Sequence, residues 1–315
     1  MFQKILVPLD GSRFSEMAVP QALSLASRWG AGLELVTVAT PVPDAQSRSE
    51  VIRGDESRDR GQARAQEYLK ETEAEVRRSG FKGEVVSTVI PSGNVAASLL
   101  RHIEEGGGDF VVMTTHGRGP VKRAWLGSAA DGVIRGSPVP VLLLRPREEM
   151  EEEDAPAWPS APALGAFSRV LVPLDGSRQS EGVLRAVRPL LADDATITLV
   201  QSVPPLTPAG YPYLPHTARE EQDQEEIRKA TRDYLEARGR ELAEGRSFTV
   251  ESLVVSSHQP AVAILDVAQD EKVQLIAMST AGRGGVARLL LGSVADKVVR
   301  GSPSPVLVYR EPAGK

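Results

Sequence analysis

The stretch Thr114-Thr115-His116-Gly117-Arg118-Gly119, completed by Gly127-Ser128, decides the fold of this chain. It follows the mostly apolar run 109–113, which predicts a buried strand, and precedes 128–135, which predicts a helix. Glycines let a backbone approach a ligand closely, and the unpaired N–H groups of a helix start favour negative charge. The stretch therefore predicts an anion-binding loop between a strand and a helix.

The same arrangement occurs a second time, at Ser279-Thr280-Ala281-Gly282-Arg283-Gly284 with Gly292-Ser293. Nine residues separate the paired glycines in both copies (118–126 and 283–291). The residue numbers of the two copies differ by 165, and the same difference relates 7–13 to 172–178 and 135–138 to 300–303. Matching motifs at both ends of two long segments indicate a duplicated domain.

The duplication predicts a first domain at 1–146, a linker at 147–166 and a second domain at 167–311. The linker carries six acidic residues in 148–154 and then an Ala-Pro-rich segment. A solvated spacer and an acidic interaction segment both fit this composition, and the spacer is the commoner case.

Composition narrows the class of protein. The 315 residues are 41% hydrophobic and 25% charged, with a net charge of −5, which does not suggest a nucleic-acid partner. The absence of cysteine excludes disulfides and thiol nucleophiles. No run approaches the roughly 20 apolar residues of a membrane span, so we expect a cytoplasmic protein with no membrane partner.

Strands and helices alternate in each copy. In the first, we predict strands at 5–9, 33–38, 84–90, 109–113 and 139–144, with helices from Ser12 or Ser15 to Gly30 and at 61–78, 94–105 and 128–135. In the second, we predict strands at 169–174, 196–202, 249–255, 273–279 and 306–310, with helices at 178–191, 218–244, 261–269 and 293–300. The pattern predicts two α/β domains, each a doubly wound parallel sheet with helices on both faces. Ligands bind such sheets beyond the carboxyl ends of the strands, where Asp10 and the glycine loop would share a crevice.

The loop has the composition of a triphosphate cradle. Close backbone approach would come from the glycines, phosphate contacts from the helix start, and positive charge from the arginines. The candidates are Gly117, Arg118, Gly127, Ser128 and Ala129 in the first copy, and Gly282, Arg283, Gly292, Ser293 and Val294 in the second. The alternative is a glycine turn that only joins strand to helix.

Asp10 and Asp175 each end a first strand. They could accept hydrogen bonds from a base or ribose, or cap the following helix. His116 could contact phosphate or act as an acid or base, but its counterpart is Ala281, so no catalytic role common to both copies is expected. We assign no catalytic residue and no protein metal site. P-loop and dinucleotide-binding motifs are absent.

The motifs resemble those of the universal stress protein family in its tandem form. The resemblance covers 1–146 and 167–311 and rests on Val-Pro-Leu-Asp-Gly-Ser at each domain start, Thr-Thr-His-Gly-Arg-Gly, and Leu-Gly-Ser-x-Ala-Asp with Gly-Ser-Pro-x-Pro-Val-Leu near each end. The family's ATP-binding pattern is Gly, two residues, Gly, nine residues, then Gly-Ser or Gly-Thr. The second and third glycines and the serine match in both copies, whereas Thr114 and Ser279 stand at the first glycine.

The resemblance implies a five-stranded parallel sheet of order 3-2-1-4-5 in each domain. It further implies that ATP binds with Mg²⁺ carried by its phosphates, and that the two domains pair through their fifth strands, with a homodimer of the whole chain as a further expectation. The implied adenosine contacts are Asp10 and Val38, with Asp175 and Ser202 in the second domain, and Met113 and Met278 would lie beside the cradle.

The leading hypothesis is an ATP-binding stress-response protein that acts as a sensor or regulator with little or no turnover. One alternative is a scaffold of the same fold that binds no nucleotide, which Thr114 and Ser279 favour. The third hypothesis is a slow ATPase, for which the sequence offers no identifiable catalytic residues. The protein partner is not identified. The residues that correspond to His116 and Pro120 in the second copy are Ala281 and Gly285, so we expect unequal affinities at the two sites.

Overall fold

The computed structural model describes residues 1–40, 52–91, 93–115, 126–146, 163–206, 218–280 and 291–311. The chain divides into two compact units, Met1–Gly165 and Ala166–Lys315. The predicted linker lies largely outside the described residues.

A five-stranded sheet forms the centre of the first unit. Its strands are β1 (Lys4–Pro8), β2 (Gly32–Val38), β3 (Val85–Ile90), β4 (Phe110–Thr114) and β5 (Val141–Leu144). Neighbouring strands are parallel, in the order β3-β2-β1-β4-β5. The predicted order 3-2-1-4-5 is therefore confirmed for this unit.

The helices of the first unit are α1 (Arg13–Glu16), α2 (Ala18–Trp29), α3 (Ile52–Arg78), α4 (Val95–His102), which continues into a π-helical turn, and α5 (Ser128–Gly136). The single helix predicted after Ser12 is wrong, because Pro20 has no N–H to donate to the carbonyl four residues earlier and the helix restarts after Met17. The predicted start of the third helix at residue 61 is also wrong. The run 52–60 contains no proline to stop the helix, and α3 begins at Ile52.

The second unit repeats the topology. Its strands are β6 (Phe167–Pro173), β7 (Leu191–Val203), β8 (Thr249–Ser256), β9 (Leu275–Ser279) and β10 (Val306–Tyr309), in the parallel order β8-β7-β6-β9-β10. Its helices are α6 (Arg178–Val187), α7 (Ala218–Ala243), α8 (Pro260–Asp270) and α9 (Ser293–Gly301).

One boundary of the second unit differs from the prediction. The helix predicted at 178–191 ends at Val187, because Pro189 removes a helical hydrogen bond and leaves a single 3₁₀ turn over Arg188–Leu190. β7 then begins at Leu191 and not at residue 196. Among the helices of the described segments, none is both long and apolar enough to cross a membrane.

The central strands are buried on both faces, as is usual in parallel sheets covered by helices. Ile5, Leu6 and Val7 in β1 have no exposed surface, and neither does Phe110 in β4. The Phe110 ring packs against Trp29, with 5.1 Å between ring centroids. This core fixes the carboxyl ends of β1, β2 and β4, where the candidate site lies.

Candidate functional site

A pocket of about 80 Å³ lies at the carboxyl ends of β1, β2 and β4 and is closed by α4 and α5. It brings together six of the residues predicted for the site: Asp10, Val38, Met113, Thr114, Gly127 and Ala129. Asp10 and the start of α5 thus face one crevice, as expected for a ligand site of a doubly wound sheet. Ser128 follows Gly127 as the first residue of α5.

Part of the predicted cradle lies outside the described residues. This holds for His116, Gly117 and Arg118 in the first copy, and for Ala281, Gly282 and Arg283 in the second. The placement of the remaining cradle residues can be compared between the copies.

The two helix starts have the same geometry. The Gly127 N–H donates to the Thr115 carbonyl at 2.7 Å, and the Gly292 N–H donates to the Thr280 carbonyl at 2.9 Å. A Cβ at Gly127 would lie 3.2 Å from the Thr115 oxygen, and a Cβ at Gly292 would lie 3.3 Å from the Thr280 oxygen. Gly127 has φ −65 and ψ 151, which suit any residue, so this close contact and not the backbone angle favours glycine.

The start of α5 also lacks a cap of the kind used elsewhere in the chain. The side chains of Ser12, Asn94 and Ser177 accept a first-turn N–H and so cap α1, α4 and α6. At α5 and α9 the N-cap is a glycine, and no described side chain caps the helix. The starts of α2 and α8 have no side-chain cap either, but α2 directly follows α1, and the proline at the start of α8 has no N–H to satisfy. The first-turn N–H groups of α5 and α9 are therefore left for another acceptor, and an anion is the natural one.

Asp10 and Asp175 anchor identical turns. Asp10 Oδ1 accepts the Ser12 N–H at 3.0 Å and the Ser12 hydroxyl at 2.6 Å, and Asp175 makes the same two bonds to Ser177. In each turn a glycine lies between the aspartate and the serine. Its φ is 79° at Gly11 and 81° at Gly176, a left-handed conformation that favours glycine. The carboxylate of Asp10 thus orders the turn before α1 and at the same time lines the pocket.

The strand registers show that Val38 and Ser202 occupy equivalent positions. Val36 pairs with Pro8 and Val200 with Pro173, so Val38 and Ser202 each lie two residues beyond the pair. The Ser202 hydroxyl lies 3.5 Å from the carbonyl of Ser257. The second domain therefore presents a hydroxyl where the first presents an isopropyl group.

The other strand-end residues also correspond between the copies. Met113 and Met278 are each 5% exposed, and each precedes the residue that ends its strand. Those last residues, Thr114 and Ser279, are 5% and 8% exposed. Their side chains are thus packed at the position where the ATP-binding pattern has its first glycine.

Sequence reasoning missed the apolar wall of the pocket. Val36 from β2 and Val95 and Leu99 from α4 face Val38 and Met113 across it. The spacing of four between Val95 and Leu99 places them on one face of α4, which is the signal that could have identified them.

Several residues shared by the repeats are structural. Arg135 Nε donates to Asp131 at 2.7 Å and Arg300 Nε to Asp296 at 3.1 Å, each one turn apart on α5 or α9. The Ser137 hydroxyl donates to the Val139 carbonyl at 2.8 Å in the turn after α5. These motif residues stabilise the helix and the turn that follows it, whereas the glycine at the start of the helix faces the pocket.

Glu16 is a titratable group near Asp10 whose pKa is altered by its environment. Burial raises the pKa of Glu16 above its usual value, and the hydroxyl of Tyr68, which donates to Glu16 at 3.1 Å, opposes part of that rise. Because the pKa is higher in the folded state, the stabilisation by this group is present below the unfolded pKa and is lost as pH rises through the folded value.

Glu16→Gln is therefore expected to make the first unit more stable than wild type at pH 7, with the difference vanishing near pH 4. The amide oxygen keeps the acceptor for Tyr68, so only the buried charge is removed. Urea unfolding at a series of pH values would measure this. The matched control is Glu181→Gln, since Glu181 accepts from Tyr234 at 3.0 Å but also faces Arg238 at 3.5 Å and should lose stability at pH 7. A Glu16→Gln protein less stable than wild type at pH 7 would contradict the burial argument.

Comparison with known proteins agrees with this architecture. The family model described as "Universal stress protein family" matches residues 1–145 and 166–310. A universal stress protein of Mycobacterium bovis is 28% identical over 98% of this chain and 95% of its own length, and one of Bacillus subtilis is 30% identical over 46% of this chain and its full length. The crystal structure of a universal stress protein from Archaeoglobus fulgidus covers 98% of both chains with a TM-score of 0.63 and 22% identity.

Fold and site together define a tandem α/β protein of two doubly wound domains, each with a glycine-started helix at the carboxyl edge of its sheet. The family model matches the chain twice, once in each domain, and this assigns the family. The chain belongs to the universal stress protein family.

Proposed function

We propose that this protein binds ATP, with Mg²⁺ carried by the phosphates, and acts in the cytoplasm as a nucleotide-dependent sensor or regulator of a stress response. The observation that carries the proposal is the pair of uncapped helix starts. Two helices begin at Gly127 and Gly292 beside the carboxyl ends of their strands, while α1, α4 and α6 in the same chain have side-chain caps.

The pocket residues suit the parts of a nucleotide. The backbone at Gly127, Ser128 and Ala129 would hold phosphate oxygens, and Arg118 would add charge there. The apolar wall of Val36, Val38 and Leu99 would hold the base, and Asp10 would accept from the ribose hydroxyls. In the second domain the corresponding groups are Asp175, Ser202, Gly292, Ser293 and Val294.

We propose little or no turnover. His116 has no counterpart in the second copy, and one oxygen of Asp10 already accepts two hydrogen bonds from Ser12. A slow ATPase is therefore the less favoured function. The predicted pairing of the two domains and the homodimer stay predictions.

A scaffold that binds no nucleotide is the second candidate. Thr114 and Ser279 favour it, since their side chains lie 5% and 8% exposed where the ATP-binding pattern has glycine. Such side chains reduce the space between strand end and helix start.

Calorimetric titration of nucleotide-stripped protein with ATP and Mg²⁺ separates the two candidates. We expect two binding events per chain with unequal affinities, and a thermal stabilisation that grows with ATP concentration. Absence of both heat and thermal stabilisation at millimolar ATP would remove the nucleotide proposal and leave the scaffold.

Val95→Trp should assign one binding event to the first domain. The indole would fill the base end of a pocket of about 80 Å³, so we expect affinity there to fall by about tenfold or more while the other event is unchanged. Calorimetric stoichiometry measures this. The control is Val262→Trp, because Val262 lies on the corresponding helix α8 but is 47% exposed. Equal effects of the two substitutions would show that the pocket does not hold the base.

A further inference from the structure

A second cavity, of about 350 Å³, lies between α6 and α7 in the second unit. Four arginines line it: Arg178, Arg185, Arg188 and Arg238. Three glutamates line it as well: Glu181, Glu241 and Glu311. We call this cavity the arginine groove, and none of its lining residues belongs to the proposed ATP site.

The carboxylates neutralise only part of the positive charge. Glu311 pairs with Arg185, while Glu181 and Glu241 lie 3.5 Å and 2.6 Å from Arg238. Within the described parts of the chain, no carboxylate lies within 4 Å of Arg178 or Arg188. Two guanidinium groups at one cavity thus have no anionic partner, an arrangement that attracts an anion.

The hydrogen bonding of the arginines is also incomplete. Arg188 donates through Nη2 to the Glu244 carbonyl, but its Nε is buried and has no acceptor. The Nε of Arg238 is buried without an acceptor as well. Buried donors without acceptors are costly, and an anion that turned these guanidinium groups toward itself would relieve that cost.

Comparison of the repeats shows that the fold does not require this charge. Both copies keep the tyrosine–glutamate hydrogen bond between the two helices, at 3.1 Å for Tyr68–Glu16 and 3.0 Å for Tyr234–Glu181. Counting from these shared residues, the positions of Arg185, Arg188 and Arg238 are occupied in the first copy by Pro20, Leu23 and Thr72. Arg178 has a counterpart in Arg13, but the same scaffold is built without the other three arginines, which are particular to the second domain.

We propose that the arginine groove is a binding site for a multiply charged phosphate anion, such as the phosphate chain of a polyphosphorylated metabolite. Guanidinium groups bind phosphate oxygens through two parallel N–H donors, and several of them converge on a cavity larger than a single phosphate needs. This site is independent of the proposed ATP function.

Glu311 acts as an internal competitor in this site. Glu311 can approach because residue 182 is a glycine: a Cβ at this position would lie only 3.2 Å from the Glu311 Cβ. The first copy has a methionine, Met17, at the corresponding position. The carboxylate engages Arg185 and must give way when a phosphate chain binds. Removal of its charge should therefore favour the anion.

Titration of the full-length protein with inorganic tripolyphosphate at fixed ionic strength tests the proposal. We expect saturable binding that is weakened about tenfold or more by Arg178→Gln/Arg188→Gln, since each lost charge-assisted contact is worth about that factor. Arg232→Gln/Arg240→Gln is the matched control, because it removes two exposed arginines of α7 outside the groove and should leave binding unchanged. Glu311→Gln should strengthen binding several-fold.

Three outcomes would overturn the proposal. These are the absence of saturable binding at millimolar tripolyphosphate, an equal effect of the groove and control substitutions, and weaker binding in Glu311→Gln. Orthophosphate serves as the comparison ligand, and an affinity equal to that of tripolyphosphate would also contradict a site for a phosphate chain. All of these titrations are made with Gly127→Val/Gly292→Val present as well, so that tripolyphosphate bound at the glycine cradles does not contribute to the signal.

Discussion

Gly127→Val combined with Gly292→Val is expected to weaken ATP binding by about 100-fold or more in both domains. A Cβ at either position would lie 3.2–3.3 Å from a backbone carbonyl oxygen, and the two methyl groups of valine would extend further into the helix start. Loss of two charge-assisted contacts between phosphate and backbone, at about 1.5–3 kcal/mol each, corresponds to a factor of that size. Calorimetry on the double and the two single variants measures the effect.

The single variants count the sites. Each should remove one binding event and leave the other, because the two cradles lie in different units. Gly32→Val is the control: Gly32 begins β2 at the opposite edge of the sheet, and a Cβ there meets nothing closer than 3.5 Å. ATP bound by the double variant with wild-type affinity would exclude the glycine helix starts as the phosphate site.

Much of the fold could be predicted because the chain contains two copies of the same domain, whose sequences can be compared with each other. Two copies of Val-Pro-Leu-Asp-Gly-Ser and of Leu-Gly-Ser-x-Ala-Asp marked the same strand ends and helix starts twice. The order 3-2-1-4-5 followed from the family resemblance and not from the residues alone. Two of the errors fall where one proline acts locally, at Pro20 and Pro189, which interrupt helices whose apolar pattern continues past them. The third, at the start of α3, falls in a charged segment without an apolar period.

The site residues at the strand ends and at the helix start could be predicted from the sequence. The residues that α4 contributes by packing over the sheet could not. Asp10 and Gly127 stand out as residues of a motif, whereas Val95 and Leu99 become part of the pocket only when α4 packs over β2. The arginine groove is a stronger example. Its arginines come from α6, from the 3₁₀ turn after α6 and from α7, and the tertiary arrangement that brings them together leaves no periodic signal in the sequence.

Phe110→Ala is expected to destabilise the first unit by about 3–5 kcal/mol, the usual cost of removing a fully buried aromatic side chain. Phe110 has no exposed surface, and its ring centroid lies 4.8 Å from that of Phe2 and 5.1 Å from that of Trp29. Both neighbours would lose their shared partner, and the cavity would lie at the start of β4. For a unit of this size the loss corresponds to a fall in melting temperature of roughly 10 °C.

Differential scanning calorimetry and hydrogen exchange measure this change, and exchange shows where it occurs. Protection should fall in β1 and β4 and remain in β6 and β9, because each unit has its own buried strands. The control is Phe81→Ala in the same unit, where the half-buried ring should cost about 1 kcal/mol. Since β4 ends at Thr114 beside the pocket, warming Phe110→Ala past its first transition should also remove one ATP-binding event and keep the other. A melting temperature lowered no more than in Phe81→Ala would contradict the role of Phe110 in the core.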